Sequence, residues 1–84
     1  MSKLEPIVKL LVDVAGDRTV PRNIRAVVEK AKNYLEDEEK DVDVKLSSAI
    51  SALDEITNDP NIPMYTRTQI WNIVSMLESV KHEV

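Results

Sequence analysis

The chain has no cysteine and a single histidine, His82. Disulfides and thiolate metal sites are excluded, and a histidine-based metal site within one chain lacks ligands. The single glycine, Gly16, cannot build a glycine-rich phosphate loop. The aromatic residues are Tyr34, Tyr65 and Trp71, few with which to stack on nucleic-acid bases. No apolar run approaches the roughly 20 residues that span a bilayer. Near the start, Lys3, Glu5 and Pro6 interrupt anything like the apolar core of a secretory signal. These absences lead to the expectation of a cytoplasmic protein with no cofactor, no metal and no membrane partner.

What is present reads as helix. Leu, Ala, Glu and Lys dominate and β-branched alternation is scarce, so the expected class is all-α. Its 84 residues make one domain, 1–84. A domain of this size buries only about 60% of the surface its unfolded chain exposes. Without disulfides or metal, it depends on tight helix packing or a partner subunit. Charge is unevenly spread. Residues 1–35 carry seven Lys/Arg and four Asp/Glu, or +3, and residues 36–84 carry four and eleven, or −7, giving the net −4. Such halves can polarise a surface or attract one another.

Hydrophobic spacing places four helices, at about 5–15, 21–36, 42–57 and 63–81. In the first, Ile7, Val8, Leu11, Val14 and Ala15 share a face, while Leu10 and Val12 lie off it. Gly16 is expected to end this helix in the left-handed conformation. In the second, Ile24, Val27, Val28, Ala31, Tyr34 and Leu35 form the stripe. In the third, Val42, Leu46, Ala49, Leu53 and Ile56 step by 4, 3, 4 and 3, as in a coiled-coil seam. In the fourth, Ile70, Trp71, Ile73, Val74, Met76, Leu77 and Val80 cover well over half the circumference. Such a helix is either central or covered by a partner. Trp71 is expected at the largest contact, as a core residue or an interface anchor.

The segment Glu36 to Asp41 is acidic, but a calcium loop needs a central glycine and alternating ligands that it lacks. A solvated connection, with Asp41 or Asp43 capping the next helix, suits it better. Ser47, Ser48 and Ser51 have no base in reach, since the only histidine is at the far end.

Two corners look alike. Shifting by 42 residues pairs Gly16 with Asn58, Asp17 with Asp59, Val20 with Ile62, Pro21 with Pro63 and Arg25 with Arg67. Each half reads as one αα-hairpin of an internal repeat, and two hairpins favour a four-helix bundle. Residues before proline are pushed to extended backbone, so Val20 and Ile62 should be the last non-helical residues, turned inward. Arg25 and Arg67 are expected to hold their corners through acidic residues: Asp17 and Asp59 in the turns, or Asp13 and Glu55 in the helices.

The stretches Thr19 to Arg25, Ala49 to Pro63 and Thr66 to Ser75, with Ile70-Trp71-Asn72 among them, resemble a family of small archaeal proteins catalogued only as an uncharacterised protein family. The resemblance covers nearly the whole chain. It implies a cytosolic four-helix domain and brings no activity, cofactor or catalytic residue.

The expected function is accordingly non-enzymatic: a helical interaction or structural module, self-associating as a homodimer. Leu10, Val12, Trp71, Ile73, Met76 and Val80 are its candidate contacts, and a separate protein partner stays unidentified. The alternative is anion or nucleic-acid binding through Arg18, Arg22 and Arg25 at the start of the second helix, whose free N–H groups favour anions. The net negative charge argues against a nucleic-acid partner. No catalytic residue is assigned, because no nucleophile–base pair or carboxylate pair is recognisable.

Overall fold

The computed structural model describes residues 3–83. Residues 1, 2 and 84 of the expected domain lie outside the described residues. The helices are α1 (Glu5–Ala15), α2 (Arg22–Glu36), α3 (Val42–Ile56) and α4 (Met64–Glu83). No strand occurs among the described residues.

Each helix packs on the next, and α4 returns to α1; the diagonal pairs are set apart and meet only through the shared core. Short corners make neighbours antiparallel, so the chain is an up-and-down four-helix bundle. It measures 33 × 19 × 18 Å. With 20 residues, α4 is about 30 Å long and runs nearly its full length.

The core follows the spacing. Ile7, Leu11 and Val14 of α1 meet Ile24, Val28, Ala31 and Leu35 of α2 in one buried cluster. Leu46, Ala49, Leu53 and Ile56 enter it from α3, and Ile70, Ile73, Val74 and Leu77 from α4. Val20 and Ile62 turn inward from the corners as expected, 1% and 5% exposed. Val42 does not join the α3 seam and is 43% exposed. It is the first residue of its helix, at the open end of the bundle.

All three corners are built alike. Asp17, Asp37 and Asp59 each donate their N–H to the carbonyl three residues back, at 3.1, 3.3 and 3.1 Å. Their own carbonyls accept from Val20, Lys40 and Ile62 at 3.1, 3.4 and 3.3 Å. Their Oδ1 atoms accept the N–H groups of Thr19, Glu39 and Asn61 at 2.9, 3.0 and 2.8 Å. These are Asx turns, in which a short carboxylate imitates a backbone turn. The next residue, Pro21, Asp41 or Pro63, then offers the first helical carbonyl to Arg25, Lys45 or Arg67 at 3.0, 3.0 and 2.9 Å.

Four expectations change here. Gly16 has φ −92° and ψ −2°, and no described residue has positive φ. The helix ends without a left-handed residue because Gly16 and Asp17 donate back to Val12 and Val14 and close its last turn. Pro21 is the cap of α2 rather than its first residue, with φ −54° and ψ 147°. Asp41 takes the same place before α3, but its side chain makes no capping bond; the backbone turn already positions the chain. Part of the likeness at 42 residues belongs to this turn, because the middle corner, 20 residues after the first, has the turn too. It does not establish a repeat of the whole hairpin.

Candidate functional site

Between Asp59 and Glu78 the sequence has one charged residue, Arg67. The structure turns that residue away from the outer surface. Arg67 is half-buried, and a terminal guanidinium nitrogen donates to the Asp59 main-chain carbonyl at 3.1 Å. The outer face of α4 from Met64 to Met76 is therefore neutral. Met64 is 70% exposed, Tyr65 71% and Trp71 52%. Thr68, Asn72 and Ser75 complete it. In a chain that is 31% charged, this is an unusual composition for solvent-facing helix. It holds two of the three methionines and two of the three aromatic residues. Loss of charge with enrichment in aromatic residues and Met marks the centre of a protein interface.

The expected contact residues divide. Trp71 is neither a core residue nor at the largest internal contact. One residue past Ile70, it points about 100° away from the buried stripe. Ile73 is buried at 2% exposure, and Val80 is partly buried against the core. Leu10 lines a groove of about 140 Å³ between α1 and α4, with Asp13, Val14, Gln69, Asn72 and Ile73. Met76 follows Asn72 by one turn on the same flank. The Gln69 side-chain oxygen there is buried without a hydrogen-bond partner. Val12 is exposed, but two residues from Leu10 it stands about 160° around α1. The six residues do not form one surface. Met64, Tyr65, Thr68 and Ser75 belong to the neutral face and were absent from that set. Their signal was the charge-free run, whereas apolar content singled out Ile73 and Val80.

Within the arginine cluster, Arg25 is engaged by its own corner. Arg25 donates from Nε to the Val20 carbonyl at 3.0 Å. Arg25 and Arg67 thus brace their corners through hydrogen bonds to main-chain carbonyls, while the Asp17 and Asp59 side chains accept from other donors. Asp17 accepts the Thr19 hydroxyl at 2.7 Å. That bond, with the Thr19 N–H and then the Arg25 charge, holds the Asp17 carboxyl below its usual range. Asp59 Oδ2 accepts from the Asn23 side chain at 3.0 Å, which ties the third corner to the start of α2 and brings a carboxylate there. Arg18 and Arg22 remain exposed.

Other groups stay dispersed. No cluster of three or more metal-ligating side chains occurs among the described residues. Ser47 accepts from Lys81 at 2.9 Å. It lines a shallow groove with Ser48, Ser51, Tyr34, Lys30 and Glu55. Leu4, Val8 and Leu35 floor a wider groove of about 600 Å³ with a mixed rim of glutamates and lysines. No described helix is long and apolar enough to cross a membrane.

Fold and surface define a small all-helical bundle with one neutral helix face exposed. The sequence profile of the Uncharacterised protein family (UPF0147) matches residues 1–80, and the chain belongs to that family. A UPF0147 protein of Methanocaldococcus jannaschii is 53% identical over 78 residues, covering 93% of this chain and 84% of the relative. A crystal structure of a protein of unknown function is similar, with TM-score 0.89 and 52% identity over 92% of this chain and 88% of the other. The UPF0147 crystal structure from Thermoplasma acidophilum also has TM-score 0.89, at 36% identity, covering 93% and 92%. The family carries no established function.

Proposed function

We propose that the chain is a non-enzymatic helical interaction module of the cytoplasm that self-associates through the outer face of α4. The observation that carries this is the neutral surface from Met64 to Met76, with Trp71 at 52% exposure near its middle. An indole that is half-exposed on an uncharged face gains free energy when a partner covers it. The small core supports the same reading, since association supplements a domain of this size. The absence of cysteine suits a reducing compartment. The α2 start is not favoured as an anion site, because Arg25 is bonded and Asp59 stands beside it.

The test is light scattering against concentration for the natural chain and for Trp71→Glu. The natural chain should rise from monomer to dimer mass with concentration. Trp71→Glu should remain monomeric, with unchanged helical circular dichroism. A natural chain that stays monomeric at millimolar concentration rejects the reading.

A further inference from the structure

We propose that the α4 face docks against the same face of a second copy, antiparallel, with a two-fold axis between Thr68 and Trp71. The proposal deepens the self-association reading and rests on it.

The central stripe of the exposed face carries the argument. At helical spacing it runs Met64, Thr68, Trp71, Ser75. Bulk alternates along it: large, small, large, small. A two-fold axis midway between Thr68 and Trp71 sets Met64 opposite the other copy's Ser75 and Thr68 opposite its Trp71. Every large side chain then meets a small one, in both directions. In a parallel in-register pair, Trp71 would meet Trp71 and Met64 would meet Met64, leaving gaps at Thr68 and Ser75. Interdigitation of large and small residues is what close packing requires. The antiparallel arrangement also opposes the two helix dipoles.

Charge selects the same occupant. A partner with a charged face would strip water from its charges and find no counter-charge between Met64 and Met76. The outer sides of the other helices carry charge, among them Glu5, Lys9 and Asp13 on α1, Arg22 and Glu29 on α2, and Asp43, Asp54 and Glu55 on α3. The neutral helix face within this molecule is α4 itself, and a two-fold contact joins identical patches. The face is about 18 Å long and about 10 Å wide. That falls below the roughly 800 Å² per partner of a standard interface, so dissociation lies in the micromolar range or weaker.

The natural absence of cysteine makes a clean cross-linking test possible. Met64→Cys and Ser75→Cys are prepared separately, both at exposed positions, and oxidised alone and mixed at a concentration that populates the dimer. Sedimentation equilibrium is run on the natural chain alongside. In the proposed geometry, residue 64 of one copy lies beside residue 75 of the other. The two copies of residue 75 lie about 16 Å apart along the axis, beyond the reach of a disulfide. The mixture should form the cross-linked dimer, and each variant alone should not. Self-linking of Ser75→Cys together with a sedimentation dimer overturns the antiparallel geometry and leaves self-association standing. So does a sedimentation dimer without any cross-link. A monomer at all concentrations, with no cross-link, overturns both.

Discussion

Gly16 sits in backbone that any residue can adopt, with φ −92° and ψ −2°. A Cβ placed there would meet the Val12 carbonyl oxygen at 3.4 Å and the Asp13 oxygen at 4.0 Å, ordinary contact distances. Gly16→Ala should therefore raise stability by about 0.4–1 kcal/mol, by restricting the unfolded chain. Chemical denaturation measures this, and destabilisation would require a strained backbone at residue 16. Glycine after a helix suggests the left-handed conformation from sequence alone, because that is its commonest use there. The main-chain bonds to Val12 and Val14 decide otherwise. The arginines give a similar lesson. Their importance to the corners was legible from Arg25 and Arg67 standing at matched positions. Their bonding partners were not, because Asp17 and Asp59 are already engaged by nearby donors.

Among the elements, the corners separate backbone geometry from packing. The same Asx turn joins all four helices, yet the residue three past each aspartate differs. Val20 and Ile62 are buried, whereas Lys40 is exposed. Val20→Ala should cost about 1–3 kcal/mol through lost burial and an unfilled gap. Lys40→Ala at the equivalent place should stay within about 0.5 kcal/mol. Thermal and urea melts of the two variants check the contrast; equal effects would mean that the turn rather than the plug sets stability. Helix limits were legible to within one or two residues, because proline, acidic turns and hydrophobic spacing all act locally. The 42-residue likeness was legible too; part of it is a turn type that also joins α2 to α3, and a repeat of the whole hairpin is not established. The middle corner was hidden from the comparison because Lys40 and Asp41 replace the aliphatic–proline pair.

For the whole molecule, stability and association are linked if α4 docks on a second copy. A dimer that forms only from folded chains raises Tm with protein concentration. The natural chain should show that rise across a hundredfold concentration range in differential scanning calorimetry. Trp71→Glu should show none, since a charge on the neutral face opposes docking without touching the core. A Tm independent of concentration in both would place the unit of stability in the single bundle. Two of the described ion pairs join the positive half to the negative one, Lys32 with Glu36 and Lys3 with Glu83. The first lies within α2, where Lys32 also pairs with Glu29, and the second joins the two ends of the chain.

The sequence by itself determined that this is a four-helix protein of one family, where its helices begin and end, and most of the residues that fill its core. Those properties follow from spacing, proline geometry and short connections, each acting over a few residues. Only the tertiary structure decided which side of α4 is covered. Ile73 and Val80 turn toward the bundle while Trp71, as apolar as they are, turns out, because neighbouring helices close on one side of α4. It also decided that Arg67 folds inward onto the Asp59 carbonyl, leaving a face without charge. The role of Arg67 at the corner was legible from its match to Arg25, but the atom it meets, a main-chain carbonyl eight residues back, is set by how the turn and α4 come together.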